Sequence, residues 1–129
     1  ACEEVTPGKV LVAPGGYHMV LNRSGARYFV ELNEDDRVFH QRPAVDPLFY
    51  SVAKIAGKNS IGVILTGMGK DGAAGLKAMR DEGAYTIGQD EKSCVVYGMP
   101  RVAFEQGGVC EQLSLNKIAS KLIELVKEN

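Results

Sequence analysis

A chain of 129 residues, 45% hydrophobic and 24% charged, suffices for one compact domain with a moderate core and is too short for two. Its net charge of -1, without any basic run, gives no electrostatic reason to expect nucleic acid or an anionic membrane as partner. No apolar stretch nears the ~20 residues that cross a bilayer, no secretory leader is expected from these residues, and Ala1-Cys2-Glu3-Glu4 lacks an initiator Met, so the chain is expected to begin inside a longer polypeptide.

Residues 9–13, Lys9-Val10-Leu11-Val12-Ala13, form an apolar run closed by Pro14-Gly15-Gly16, which reads as a strand followed by a turn. Residues 18–22 and 27–32 flank Arg23-Ser24-Gly25-Ala26 and read as an antiparallel β-hairpin. After the polar connection 33–36, Asp46 is expected to N-cap a first helix, with Pro47 at its first position and Gly57 closing it. Leu48, Val52, Ile55 and Ala56 recur there at helical spacing, so one face is expected to pack on the sheet.

Residues 61–65 are apolar without alternation, which suits a strand covered on both faces. A second helix over 72–82 carries Ala73, Leu76, Ala78 and Met79 before Gly83. Residues 84–87 read as the next strand, and 99–106 as a helix with Pro100 near its start and Gly107-Gly108 at its end. Residues 109–113 read as a last strand. Ser114 or Asn116 is expected to cap a final helix whose Ile118, Leu122, Leu125 and Val126 make an apolar stripe. The sum is an α/β fold: a doubly wound, mostly parallel sheet with helices on both faces and an antiparallel hairpin near the start.

The three cysteines, Cys2, Cys94 and Cys110, are odd in number and form no C-x-x-C pair, which argues against a disulfide framework or a structural zinc site. A reducing cytoplasm is the simplest setting. Cys94 and Cys110 stand beside valines and read as small apolar residues in packed segments. Two scattered histidines without carboxylates at ligand spacing make no metal site.

Chemistry concentrates where the 61–65 strand runs into Thr66-Gly67-Met68-Gly69-Lys70-Asp71-Gly72. In an open parallel sheet, ligands and catalytic groups collect at the carboxyl ends of strands. Asp71 is the only acidic side chain on that loop. Gly67, Gly69 and Gly72 match G-x-G-x-x-G, but no acidic ribose partner follows and Asp71 would repel a phosphate, so the dinucleotide reading is weak. Asp71 instead suits the acid of a hydrolytic triad, orienting a histidine that activates a serine; the bland alternative is a cap for the helix that follows. The partners are not evident, because no G-x-S-x-G elbow exists and His18 and His40 are isolated.

Four long stretches carry a resemblance: residues 7–19 around Pro14-Gly15-Gly16-Tyr17-His18-Met19, Arg42-Pro43-Ala44-Val45-Asp46-Pro47-Leu48-Phe49, residues 62–73 around Thr66-Gly67-Met68-Gly69-Lys70-Asp71-Gly72, and Ser93-Cys94-Val95-Val96-Tyr97-Gly98-Met99-Pro100. In this order they resemble the C-terminal part of the catalytic domain of the chemotaxis receptor methylesterases, the CheB family of protein-glutamate methylesterases. The resemblance implies that residues 1–129 are the C-terminal portion of such a domain. It implies a Ser-His-Asp triad hydrolysing γ-glutamyl methyl esters on cytoplasmic chemoreceptor helices, with glutamine deamidation in some members and no cofactor or metal. It places the triad aspartate on Asp71 and a methionine beside the active site on Met68.

The family's serine and histidine motifs, Gly-x-Ser-Thr-Gly-Gly and Gln-His-Met-Pro, lie upstream and do not occur here. The partners implied are methylated receptor helices and a response-regulator domain, with no nucleic acid and no direct membrane insertion. The competing reading is a non-catalytic module that binds receptor helices or a regulator. Ala44 stands where relatives often have serine, and Lys70 where they often have asparagine; Lys70 is expected to favour the ionised form of Asp71 if the two approach. Asp71→Asn is expected to reduce turnover sharply while leaving the fold nearly unchanged.

Overall fold

The computed structural model describes residues 2–127. Its first half centres on an antiparallel sheet of β1 (Cys2–Glu4), β2 (His18–Ser24) and β3 (Arg27–Asn33), in the order β1-β3-β2. The expected hairpin is present and closes more tightly than the four-residue loop read from the sequence. Ser24 pairs with Arg27, so Gly25 and Ala26 alone make the turn, with Gly25 at φ 61, the left-handed backbone that two-residue hairpins require. The short β1 carries no apolar alternation and was not anticipated.

Residues 9–13 do not form the expected strand. Val10 and Val12 are 87% and 83% exposed, and among the described residues no strand runs alongside to exchange backbone hydrogen bonds. A high β-propensity specifies a strand only where a neighbour and a covered face exist. Leu11 and Val12 instead line, with Met19, Val30 and Leu32, a cavity of about 230 Å³ beside the antiparallel sheet.

The second half is the wound unit. β4 (Ile61–Ile64), α2 (Ala73–Asp81), β5 (Tyr85–Gln89), α3 (Met99–Glu105), β6 (Glu111–Leu113) and α4 (Leu115–Lys127) follow one another, and the strands form a parallel sheet in the order β4-β5-β6. Ile61 lies opposite Tyr85 and Ile87 opposite Glu111. Ile64, Leu76, Met79, Ala84, Ala103 and Val109 are buried together between this sheet and its helices, in keeping with the apolar run read for β4; β5 instead buries the polar Thr86 and Gln89, which bond to Gly108 O and Ser93 O.

The first helix, α1 (Val45–Ile55), differs from expectation in two ways. It packs on β2 and α2 rather than on the parallel sheet. It also begins at Val45, with Ala44 in the N-cap position and no side-chain cap of its own. The α1–α2 crossing is close at Gly75, where a Cβ would stand 2.6 Å from Cβ of Phe49 and 2.9 Å from Oδ1 of Asp46. The cysteine reading holds only in part. Cys94 is half-buried and burial pushes its thiol pKa up, whereas Cys110 is exposed because it precedes β6 rather than lying within it.

Candidate active site

The loop from β4 to α2 is fixed to the segment before α3. The Gly67 N–H donates to Val96 O at 3.1 Å, and Gly67 O accepts from Met99 N–H at 2.8 Å. The Thr66 hydroxyl accepts the Val96 N–H at 2.8 Å and donates to Val96 O at 3.1 Å. Its backbone N–H donates to Oε1 of Gln89 at 2.7 Å. Gln89 is itself buried and anchored by donation to Ser93 O. The loop therefore leaves the sheet's carboxyl edge on a braced base.

At the far end of this loop Asp71 is only 6% exposed. It does not cap the helix that follows it. Its Oδ2 accepts the Val45 N–H at 2.7 Å and its Oδ1 the Asp46 N–H at 2.9 Å, so it caps α1 across the fold. Asp46, read from the sequence as the cap of its own helix, reaches the other way. Its Oδ1 accepts the N–H groups of Gly72 at 3.1 Å and Gly75 at 2.8 Å, which belong to the start of α2. Gly72 occupies the N-cap position of α2 at φ 97, a backbone region natural to glycine.

The two carboxylates thus exchange helices. The Asp46 carboxyl lies above its ordinary pKa, chiefly because burial penalises its charge; the Gly75 N–H opposes this and the nearby Asp71 charge adds to it. An ionised carboxylate offers about four lone-pair sites. The α1 N–H groups use two of them on Asp71, which leaves capacity for a further donor such as an imidazole N–H.

Met68, the other residue singled out from the sequence, projects from the same loop and is 82% exposed. It borders an open groove of about 670 Å³ also lined by Phe39, Lys70, Tyr97 and Arg101. Lys70 does not approach Asp71 as an ion-pair partner; its ammonium lies over the Phe39 ring, 5.3 Å from the centroid. Phe39 and His40 sit in a tight turn with φ 50 and 65, bridged by Val38 and Gln41.

His18 is 1% exposed and serves the framework. Its Nδ1 accepts the Ala44 N–H at 3.3 Å, which leaves Nε2–H to donate to Asp36 O at 2.9 Å. Both nitrogens are engaged, and the ring ties β2 to the start of α1. Among the described residues, the hydrogen bonds to Asp71 come from Val45 and Asp46 rather than from a histidine. What sequence reading missed is the tie between Asp46 and the Asp71 loop; the signal, an acid at a helix start, is the same one that marks an ordinary N-cap.

The family model described as CheB methylesterase matches residues 1–122. The chain is similar to protein-glutamate methylesterase/protein-glutamine glutaminase 4 of Anaeromyxobacter dehalogenans (strain 2CP-C), with 61% identity over 126 residues, 98% of this chain and 35% of that protein. It is 54% identical over 121 residues to the protein-glutamate methylesterase/protein-glutamine glutaminase of Escherichia coli (strain K12), covering 94% of this chain and 35% of that one. The crystal structure of the Thermotoga maritima CheB methylesterase catalytic domain matches with a TM-score of 0.92 at 42% identity, over 95% of this chain and 65% of that one. The chain spans about a third of the length of the curated relatives it matches.

Proposed function

The chain belongs to the CheB methylesterase family, and on that footing we propose that Asp71 is the acid of a Ser-His-Asp triad that hydrolyses glutamate γ-methyl esters on chemoreceptor helices. The observation that carries this is a carboxylate buried at the carboxyl edge of a parallel sheet, its two oxygens held at 2.7 and 2.9 Å by the first turn of α1. A group so fixed can set the tautomer and orientation of an imidazole without itself moving. The wider proposal is that residues 1–129 form the C-terminal portion of the catalytic domain, with serine and histidine supplied by preceding sequence. The partial coverage of the relatives and of the Thermotoga maritima domain supports it.

In the complete enzyme, serine Oγ attacks the ester carbonyl as histidine takes its proton. Asp71 accepts the other imidazole N–H and stabilises the imidazolium. The proton passes to the departing methoxide, methanol leaves, and water, activated by the same histidine, releases glutamate. The backbone at Met68 is assigned to the oxyanion, a donation of about 3 kcal/mol where such donors have been removed elsewhere. The relatives' names pair esterase with glutaminase, and the same steps act on a glutamine side chain with ammonia as leaving group.

We assign the protein to the cytoplasm, with methylated receptor helices as substrate and a response-regulator domain in the full-length chain. No helix among the described residues is long and apolar enough to cross a membrane. The deciding experiment is methanol release from methylated receptor by the complete enzyme and its Asp71→Asn variant. Turnover is expected to fall by about 10⁴, the loss seen when a triad carboxylate becomes an amide. Near-normal turnover overturns the assignment.

A further inference from the structure

We propose that Asp46 is a positioning residue for the esterase reaction, holding the Asp71 carboxylate in register from the opposite side of the α1–α2 junction; this rests on Asp71 being the triad acid. The geometry is a closed loop of bonds. The Asp46 N–H donates to Oδ1 of Asp71 at 2.9 Å, the chain passes from Asp71 to Gly72, and the Gly72 N–H returns to Oδ1 of Asp46 at 3.1 Å. A second bond, from Gly75 N–H at 2.8 Å, fixes the same oxygen against α2. Asp71 is therefore gripped at its carboxylate by the backbone of residue 46 and at its own chain by the side chain of residue 46.

Several features make this more than an ordinary helix cap. Asp46 is 5% exposed and lies beside another buried acid, a placement that is costly unless its bonds are made, and its side chain serves Gly72 and Gly75 across the junction rather than the helix to which it belongs. The oxygen sits where the missing side chain of Gly75 leaves room, a Cβ there falling 2.9 Å from it. Asp46 also joins two elements that are otherwise separate in function: α1, which supplies both donors to Asp71, and the loop that carries Asp71 out of β4. Removing the carboxylate releases Gly72, the residue covalently next to Asp71, so the triad acid loses its fixed relation to α1. Displacements on the scale of 1 Å in a catalytic constellation are worth about 10²-fold in rate.

The test measures kcat and KM for methanol release by the complete enzyme carrying Asp46→Ala, Asp46→Asn, Asp71→Asn, and the Asp46→Ala/Asp71→Asn pair, with the folded fraction checked by circular dichroism. Asp46→Ala is expected to lower kcat about 10- to 100-fold with KM changed by less than about twofold. Asp46→Asn, which keeps an acceptor oxygen at Oδ1, is expected to recover most of that loss. In the Asp71→Asn background Asp46→Ala is expected to add little, because groups acting through one another are non-additive.

Should Asp46→Ala not fold, Asp46→Ser takes its place with the same expected loss, its hydroxyl being too short to span to Gly75. Unchanged kcat in the folded Asp46→Ala enzyme, or an equal loss with and without Asp71, overturns the role of Asp46. Full activity of Asp71→Asn overturns the triad reading on which it rests, so the two failures are told apart.

Discussion

On its proposed role, Asp71→Asn lowers turnover, and because the carboxylate also caps α1 the substitution is further expected to destabilise the fold measurably. The amide keeps one oxygen and puts an NH₂ in place of the other. Of the Val45 N–H at 2.7 Å and the Asp46 N–H at 2.9 Å, one then faces a donor. A hydrogen bond to a charged acceptor contributes about 1.5–3 kcal/mol, and loss of an N-cap costs about 0.5–2 kcal/mol. The expected destabilisation is therefore about 1–3 kcal/mol. With a urea slope of about 2 kcal/mol/M, the midpoint of the transition followed by circular dichroism moves down by roughly 0.5–1.5 M.

Hydrogen exchange is expected to accelerate at whichever of the Val45 and Asp46 amides then faces the NH₂ group, and to a lesser degree at the other as the α1 start loosens. A second substitution separates cap from catalysis. Ala44 holds the N-cap position in an extended conformation, φ -121 and ψ 159, without a side-chain acceptor. Ala44→Ser added to Asp71→Asn is expected to return about 1 kcal/mol of stability and none of the turnover. An unchanged urea midpoint together with unchanged exchange at Val45 and Asp46 would refute the capping argument.

Gly75→Ala brings a Cβ to 2.6 Å from Cβ of Phe49 and 2.9 Å from Oδ1 of Asp46; overpacking of about 1–3 kcal/mol outweighs a helix-propensity gain of about 1 kcal/mol, and thermal or urea melting should register a net loss. Asp46 carries a raised carboxyl, so its protonated form is favoured in the folded state, and the stability it contributes is full below its ordinary value of 3.8 and lost as pH climbs through the folded value. Asp46→Asn stays neutral throughout, so urea melts across that range should show the variant gaining on the parent as pH rises, and a gap independent of pH counts against the assignment. The Tyr85 hydroxyl donates to Oε1 of Glu111 at 2.5 Å, and that bond is the main reason its pKa is pushed up to about 12 from 10.0. The stabilisation it brings is complete below pH 10.0 and disappears as pH rises to about 12. Phenolate absorbance should therefore show a late step that moves to lower pH in Glu111→Gln, and a parent without the late step contradicts the bond.

The wound unit was legible because its signals are local. β4 is a short apolar run that places Ile64 in the core, while Gly83 and Gly107-Gly108 end α2 and α3 where the backbone needs positive φ or tight turns. The hairpin was legible for the same reason, with Gly25 marking its turn. Residues 9–13 were misread because strand formation is a relation between two segments. Val10 and Val12 have the propensity and stand 87% and 83% exposed without a partner among the described residues. The position of Asp71 at the edge of a parallel strand followed from the order of elements, but its burial and its partners did not.

Those partners became predictable only in terms of what each helix lacks. α1 has Ala44 and α2 has Gly72 in the N-cap position, and neither residue has a side-chain acceptor. The first N–H groups of a helix have no partner within it, and both starts are buried, so acceptors must come from elsewhere. Local rules give each acid to its own helix, Asp46 to α1 and Asp71 to α2. A shift of α1 to Val45 instead places Asp46 inside the first turn, where its side chain is free to cross to Gly72 and Gly75. Asp71, one residue before the cap position of α2, is free to cross the other way. A boundary difference of this size is beneath the resolution of propensity and pattern, yet it decides which carboxylate faces which helix. The acid most exposed to this ambiguity is the one assigned to catalysis, because the same two N–H bonds that complete α1 also fix the orientation in which Asp71 can receive an imidazole.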